Sequence, residues 1–367
     1  MGAKRKKYYT QSELFYSTIF GGGIYEWDGQ LVQDPLGGSR GEGNASPLLV
    51  NVLTREEFYL KRVPIGDRER YRKLILSSLQ DEYILWPGDM VHLEYDTRNI
   101  CALFAAQEYT SSPTPLRERD ETEALLFPYG GYPRMIDGVR KLSQIAEPNW
   151  KNQEIRDMAV EIALALDRVN RKGCVYADIH LSRLYFTDNG QVFLDFSNLI
   201  YPIQDCHGIG AVKAAEMKPG SYPVEFADPA LVRGLIPCID IHTQNFSLCA
   251  LFFYLFLRRY PYDGQLLTGY ADETIQDHYV KFRDYHRMPV FIFDPDDTQN
   301  SLGDFFEEQQ VVELWEELPG SLRKIFIQTL RKENAERMVK VNNLMPDAWL
   351  QCFRELGWYV EKERPED

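Results

Sequence analysis

Three features are scarce or missing in this 367-residue chain, and each absence narrows the class of protein. Its six cysteines form no Cys-x-x-Cys pair and do not group with the six histidines, so we predict neither a zinc site nor a disulfide framework, and we expect reduced thiols in a cytoplasmic protein. The longest mainly apolar run, 246–257, is shorter than the ~18 residues of a membrane-spanning helix. Basic residues number 41 against 55 acidic ones, and the net charge of −14 argues against an extensive nucleic-acid-binding surface.

The apolar content is high enough for a large folded core. Apolar residues make up 44% of the chain, no internal repeat is visible, and no break in composition marks a second independent domain. The basic cluster 4–7 follows Gly2, but Lys6 stands where a myristoylation motif requires Ser or Thr. We therefore predict a solvated N-terminal tail.

A predicted β-hairpin carries two aspartates. The apolar runs 184–186 and 192–194 flank Asn189-Gly190, a dipeptide that favours a tight turn because both residues tolerate positive φ. Asp178 precedes the first strand and Asp195 closes the second, so one rigid element can direct two carboxylates toward one place, as metal and phosphate chemistry requires. Taken alone, each aspartate could equally be a solvated cap.

A glycine-rich segment lies within a predicted strand, turn, strand, turn, strand pattern over 30–63. Gly41 and Gly43 precede Ser46, and glycines let backbone N–H groups approach phosphate oxygens. Lys61 follows in an otherwise apolar strand, where a solvent-facing strand would alternate. A phosphate-binding loop and a flexible surface hairpin are both compatible with the glycines alone.

These segments resemble parts of the eukaryotic-like protein kinases. The matching segments are Gly41-x-Gly43-x-x-Ser46-x-Leu48 for the glycine loop, Lys61 for the strand lysine, Tyr176-Ala177-Asp178 for His-Arg-Asp, and Asp195-Phe196-Ser197 for Asp-Phe-Gly. The resemblance spans roughly residues 30–357 in the correct order. It implies an α+β, bilobal protein-kinase-like fold, with a small antiparallel-sheet N-lobe carrying one helix and a mainly helical C-lobe.

The resemblance implies roles for four residues of the central stretch. Asp178 would orient a substrate hydroxyl and accept its proton, and Asp195 would hold Mg²⁺ against the β- and γ-phosphates of ATP. His180 stands where the family has a lysine that contacts the γ-phosphate, and Arg183 stands where an asparagine ligates the second metal. Arginine cannot ligate a cation, although it can contact phosphate oxygens directly.

The resemblance also implies a nucleotide site. Lys61 would pair with the α- and β-phosphates beneath the glycine loop. The hinge would lie at 107–109, including Glu108, with the adenine against backbone there and against apolar side chains such as Phe104. An alternative alignment places the hinge at 127–130.

The chain departs from the family where large-lobe contacts are expected. Asp228-Pro229-Ala230 replaces Ala-Pro-Glu, so Arg337, the counterpart of the arginine that pairs with that glutamate, lacks its expected partner unless Glu225 substitutes. Gln244 replaces the aspartate that anchors the catalytic loop, so this contact is predicted to be weakened, with Asp240 as a possible substitute.

The small-lobe helix also departs from the family. The glutamate expected to pair with Lys61 falls near Arg72, and the nearest acid, Glu69, lies about one turn earlier. The predicted ion pair is therefore in doubt.

Other elements follow from periodicity and caps. We predict strands at 90–94 and 100–106, an exposed loop at 111–123, helices at 67–80, 135–145, 152–171, 309–317, 321–331 and 346–356, and a buried helix from Gln244. The predicted divisions are an N-terminal extension (1–29), an N-lobe (30–107), a C-lobe (108–358) and a charged tail (359–367).

Three functions remain open. The leading hypothesis is an ATP- and Mg²⁺-binding kinase-like protein, degraded or divergent in phosphotransfer, that signals through a protein partner. The second is an active Ser/Thr-type protein kinase that acts on a protein substrate with Arg183 and a single metal. The third is a kinase-fold scaffold that binds no nucleotide. Neither a nucleic-acid partner nor a membrane span is expected.

Overall fold

The computed structural model describes residues 13–19, 23–33, 45–62, 68–77, 80–93, 122–129, 135–136, 149–177, 179, 184–187, 190–195, 199–200, 225–236, 239–267, 280–281, 284–338 and 343–360. Within them an antiparallel sheet is combined with several helices, so the predicted α+β class is confirmed. The chain divides into two compact units, residues 1–135 with 195–197, and residues 136–194 with 198–367. Of the helices described, none has both the length and the apolar character needed to cross a bilayer.

Within its described residues, the first unit is built on a six-stranded sheet and one helix. Its elements are β1 (Glu13–Tyr16), β2 (Ile24–Gln33), β3 (Ala45–Asn51), β4 (Glu57–Arg62), α1 (Arg68–Leu76), β5 (Ile84–Leu85), β6 (Asp89–Leu93) and β7 (Thr122–Pro128). The sheet order is β1-β2-β3-β4-β7-β6, and neighbouring strands are antiparallel.

One face of this sheet forms a buried apolar core. Because side chains alternate along a strand, Phe58 and Leu60 of β4 point to one face, whereas Tyr59 and Lys61 point to the other. The core on the first face contains Phe15, Tyr25, Trp27, Leu49, Phe58, Leu60, Val91, Ala124 and Leu126.

The sheet is nearly closed into a barrel. Ser17, just after β1, forms a β-bridge with Val91 of β6. The buried carboxylate of Asp89 accepts hydrogen bonds from Ser17 Oγ (2.8 Å) and from the Tyr25 hydroxyl (2.7 Å). Burial and this neighbouring carboxylate raise the pKa of Tyr25, so its hydroxyl stays protonated and joins β2 to β6.

The second unit is mainly helical. A two-residue strand, β8 (Met135–Ile136), lies at the division. The elements that follow are α2 (Gln153–Arg171), β9 (Val175–Tyr176), β10 (Leu184–Thr187), β11 (Val192–Asp195), β12 (Leu199–Ile200), α3 (Pro229–Val232), α4 (Ile241–Leu257), α5 (Phe306–Glu317), α6 (Gly320–Leu330), α7 (Lys332–Ala335) and α8 (Pro346–Glu355).

Local signals in the sequence explain the two longest helices. The side chain of Asn152 accepts a hydrogen bond from Glu154 N (2.9 Å) and caps α2, which ends before Gly173 at φ 77°. Asp240 caps α4 through a reciprocal pair of hydrogen bonds with Thr243, so this helix begins before Gln244. Its apolar residues lie on all sides, as expected of a helix buried in the middle of a unit.

Most of the predicted elements in the described regions are confirmed. They are the three strands of 30–63, the strand near 90, the first helix, the helix at 152–171, the hairpin, the buried helix and the three terminal helices. In the hairpin, Leu184 pairs with Leu194 and Phe186 with Val192, and Gly190 has φ 83°. The predicted strand 100–106 and the capping residue Asp67 lie outside the described residues.

Two predictions differ from the structure. Residues 135–136 form a strand, whereas the sequence predicts a helix over 135–145. The predicted loop 111–123 ends inside β7, because Thr122 and Glu123 pair with β6. Strand β1 and the start of β2 lie within 1–29, and the first unit extends to residue 135.

Candidate functional site

Ser46 and Lys61 lie on the same face of the sheet, opposite the apolar core. Leu48 of β3 pairs with Tyr59 of β4, and because side chains alternate along each strand, Ser46 and Lys61, each two residues from that pair, project to the same face. Ser46 is buried and Lys61 is half-buried. The end of the glycine-rich segment and the strand lysine therefore meet on one surface, although Gly41 and Gly43 lie outside the described residues.

Two aromatic rings occupy the same face beside Lys61. Tyr59 and Phe127 pair across β4 and β7, their ring centroids are 5.3 Å apart, and their planes differ by 16°. Both residues are 0% exposed. Leu125, paired with Lys61, extends the apolar surface. This face therefore combines a cation and a hydroxyl with a closely packed apolar region.

In the second unit, the side chain of Gln244 anchors the segment that leads to Asp178. Its Oε1 accepts a hydrogen bond from the backbone N–H of Tyr176 (2.8 Å), and its Nε2 donates to Asn170 Oδ1 (2.9 Å). Asn170 Nδ2 in turn donates to Cys174 O (2.9 Å) and to Gln244 Oε1 (3.1 Å). The network joins the end of α2, strand β9 and the start of α4.

The anchoring contact is therefore present, and Gln244 makes it with a neutral amide in place of the aspartate that the resemblance implies. A neutral amide accepts from the Tyr176 N–H as a carboxylate would, and Asn170 satisfies its remaining donor, so no charge is buried. Asp240, the suggested substitute, instead caps α4. The residue type differs from the family, but the hydrogen bond to the loop is present.

The partner of Arg337 is Asp228. The Arg337 Nη2 forms an ion pair with the Asp228 carboxylate, which is completely buried and also accepts a hydrogen bond from Ala230 N (2.9 Å). Burial raises the pKa of Asp228 to about 6, an effect that the neighbouring Arg337 opposes. Glu225 is thus not needed as the substitute acid, because the carboxylate is supplied two positions before Ala230.

The hairpin fixes the backbone of Asp195 at the end of β11, and its side chain lies outside the described part of the structure. Asp178 also lies outside it, between Ala177 and the buried Ile179. The remaining predicted site residues outside the described ranges are His180, Arg183, Phe104 and Glu108. Their roles stay predictions.

A metal centre is not assembled within the described ranges. No group of three or more His, Cys, Asp or Glu side chains there is arranged to hold an ion. The two carboxylates that the sequence assigns to metal and proton transfer are not among the side chains searched.

Sequence reasoning missed four residues that shape these surroundings: Asn170, Asp228, Tyr59 and Phe127. For Asp228 a signal was present, because Asp followed by Pro is a common helix start and its side chain caps α3. Asn170 stands next to the basic end of α2 and gives no comparable signal, since its partner lies 74 residues away. The stacking of Tyr59 on Phe127 depends on strand pairing that local sequence does not specify.

Comparison of the chain with models of protein families gives no match. Comparison with curated proteins also gives no match.

Proposed function

We propose that this protein is a kinase-like, bilobal, ATP-binding protein with a degraded or divergent phosphotransfer site, and that it regulates a protein partner. The observation that carries the proposal is the shared face of Ser46 and Lys61, which puts the end of a glycine-rich segment and a strand lysine on one side of the sheet. A lysine in that position can neutralise phosphate oxygens while backbone N–H groups of the glycine segment approach them.

Two contacts of the second unit support the kinase-like part of the proposal. Gln244 accepts a hydrogen bond from the backbone just before Asp178, and Arg337 pairs with a buried acid before α3. Both contacts correspond to contacts expected from the resemblance, but different residues make them. The presence of both contacts, made by other residues than the resemblance implies, favours a fold in which the segment before Asp178 must be held in place.

The proposed cofactors fit the residues assigned to them. Lys61 and the Ser46 hydroxyl would hold the phosphates, and Asp195 would hold Mg²⁺, because carboxylate oxygen is a ligand that this ion prefers. Bound ATP with Mg²⁺ supplies an activated phosphoryl group. Asp178 would accept the proton of an acceptor hydroxyl.

Arg183 is the reason to expect weak phosphotransfer. It replaces an oxygen ligand with a permanent cation, and it therefore removes the second metal position that the resemblance implies. His180, in place of a lysine, carries less positive charge at neutral pH. Nucleotide binding through Lys61 does not require either residue.

Thermal unfolding with ATP, in the presence and absence of Mg²⁺, tests the proposal. A ligand that binds only the folded chain stabilises it by about 2.7 kcal/mol at 100 times its dissociation constant. We expect stabilisation that requires Mg²⁺, its loss in Lys61→Met, and its retention in the control Lys73→Met, which removes an exposed lysine of α1. If saturating ATP with Mg²⁺ leaves the wild-type melting temperature unchanged, the chain is not a nucleotide-binding protein.

Transfer of labelled γ-phosphate to a protein acceptor tests the catalytic part. Little or no transfer is expected. Efficient transfer that Asp178→Ala and Asp195→Ala both abolish would contradict a degraded site and establish an active kinase.

A second candidate function is a kinase-like scaffold that binds no nucleotide. The observation that favours it is the complete burial of Tyr59 and Phe127 on the face of Lys61, since a nucleotide whose phosphates reach Lys61 lies on that face. In this case ATP, with or without Mg²⁺, leaves the melting temperature of the wild type and that of Lys61→Met unchanged.

A further inference from the structure

A surface pocket lies between α5 and α6 of the second unit. Its volume is about 440 Å³, and it is lined by Trp315, Gly320, Arg323, Lys324, Ile327 and Gln328. Trp315 is packed face to face on Phe293, with ring centroids 4.4 Å apart and planes within 1°, so the apolar wall is rigidly held. At Gly320 an added Cβ would meet nothing within 4 Å, which leaves that side of the pocket open.

Arg323 is the unusual group in this pocket. Its Nε atom is buried and has no hydrogen-bond partner among the residues that the structure describes. A buried donor without an acceptor is unfavourable, and in native proteins such a group is commonly satisfied by water, an ion or a ligand. Lys324, the next residue, is exposed and likewise forms no ion pair with any described residue.

Four other arginines of this unit are each paired with an acid. Arg233 pairs with Glu336, Arg259 with Glu308, Arg331 with Asp294, and Arg337 with Asp228. In a chain of net charge −14, Arg323 and Lys324 are two adjacent cations without a described acid partner, and they lie beside an apolar wall. Charge complementarity therefore points to an acidic ligand.

We infer that this pocket docks an acidic segment of a partner protein, with a Glu or Asp carboxylate on Arg323 and Lys324 and a neighbouring aliphatic or aromatic side chain against Trp315 and Ile327. A peptide segment fits because Gly320, Lys324 and Gln328 are exposed, so the occupant keeps one side in solvent. The inference rests on the proposed function only because it requires a protein partner. All residues that line the pocket belong to the second unit.

Fluorescence polarisation with the full-length chain and no nucleotide tests the inference. The probe is a fluorescein-labelled peptide of alternating glutamate and leucine, and the matched probe has glutamine at each glutamate. We expect saturable binding of the glutamate peptide and at least tenfold weaker binding of the glutamine peptide. Absence of binding of the glutamate peptide would overturn the docking site.

Charge reversal locates the site. Arg323→Glu and Lys324→Glu should each weaken binding at least tenfold, whereas the control Lys332→Glu, an exposed cation of α7, should bind like the wild type. Arg323→Gln provides the milder change if Arg323→Glu does not fold, as judged by its thermal unfolding. Equal weakening by Lys332→Glu would show general electrostatic attraction and reject the pocket.

Inorganic phosphate separates a peptide site from a small-anion site. We expect millimolar phosphate to leave the bound peptide in place at constant ionic strength. Complete displacement would show that a free anion fills the site and would overturn the peptide assignment. Because ATP is absent, failure of this experiment leaves the thermal-unfolding test of nucleotide binding unaffected, and the two failures can be told apart.

Discussion

The neighbours of Gln244 in the second unit are polar, whereas the described neighbours of Lys61 on its face of the first unit's sheet are mainly apolar. Gln244 and Asn170 exchange hydrogen bonds and hold the N–H of Tyr176. On the face of Lys61, the largest buried side chains are the stacked rings of Tyr59 and Phe127. The polar partners of Gln244 therefore fix the position of a backbone segment, whereas the rings near Lys61 determine the space beside its side chain.

This difference shows which substitutions each region tolerates. A hydrogen-bond network can keep a backbone in place with a changed residue, provided that every donor and acceptor finds a partner. Gln244 and Asp228 differ from the residues that the proposed kinase resemblance implies, yet both make contacts with their partners. The packed rings of Tyr59 and Phe127 instead limit the space beside Lys61. A new hydrogen bond cannot enlarge that space.

Tyr59→Ala should have the largest effect on stability. Removal of a fully buried aromatic side chain costs about 3–5 kcal/mol, because transfer energy is lost and a cavity is left beside Phe127. Urea unfolding measures the loss, and Tyr16→Ala, at a position 60% exposed on β1, is the matched control with a much smaller expected effect. Equal destabilisation by both variants would mean that the Lys61 face is not packed as described.

Asp228→Ala should have the second-largest effect and lower the free energy of unfolding by about 3–4 kcal/mol at pH 7, because it leaves the partly buried Arg337 without its acid. A double-mutant cycle with Arg337→Ala gives the coupling. The double variant should lose much less than the sum of the single losses, since neither partner is then left alone. Additive losses would contradict a direct ion pair.

Elements formed by contacts between residues close in sequence could be predicted, and elements formed by contacts between distant residues could not. The hairpin and the helices α2 and α4 were predicted because Asn189-Gly190, Asn152 and the apolar spacing act within a few residues. Strand β7 was missed because it lies between β4 and β6, and its identity as a strand comes from pairing with them.

Within the candidate site, residue type was predictable and contact geometry was not. The place of Lys61 in an apolar strand singles it out, but its pairing partner Leu125 lies 64 residues later in the chain. The absence of a charge on Gln244 leads to the expectation of a weakened contact. The structure shows that its amide oxygen lies 2.8 Å from Tyr176 N, a position that the residue type alone does not specify. Likewise, the acid that pairs with Arg337 is set by folding across 109 residues.

Gln244→Leu should cost about 2–3 kcal/mol. The leucine has nearly the same size, so the loss reports mainly the buried N–H of Tyr176, left without its acceptor, and the partly buried Oδ1 of Asn170, left without the Gln244 donor. Guanidinium or urea unfolding measures it, with Gln153→Leu, an exposed glutamine at the start of α2, as the control. A loss no larger than that of Gln153→Leu would show that the polar network does not stabilise the second unit.

The smallest effect concerns pH. Burial raises the pKa of Asp228 to about 6, above the 3.8 of an exposed aspartate, so between these values the folded chain holds a proton that the unfolded chain has released. This group's contribution to stability is therefore greatest below pH 4 and falls as pH rises to 6, by at most about 1.4 kcal/mol per pH unit. Asparagine cannot titrate, so Asp228→Asn removes the dependence.

Urea unfolding at pH 4, 5, 6 and 7 measures this difference, with Asp157→Asn, an exposed aspartate of α2, as the control. The free energy of unfolding of wild type minus that of Asp228→Asn should decrease from pH 4 to 6, because only the wild type must release the buried proton. An increase over this range would mean that Arg337 outweighs burial and holds the carboxylate ionised. The ion pair would then resemble the fully satisfied network around Gln244 rather than a buried acid that is only partly compensated.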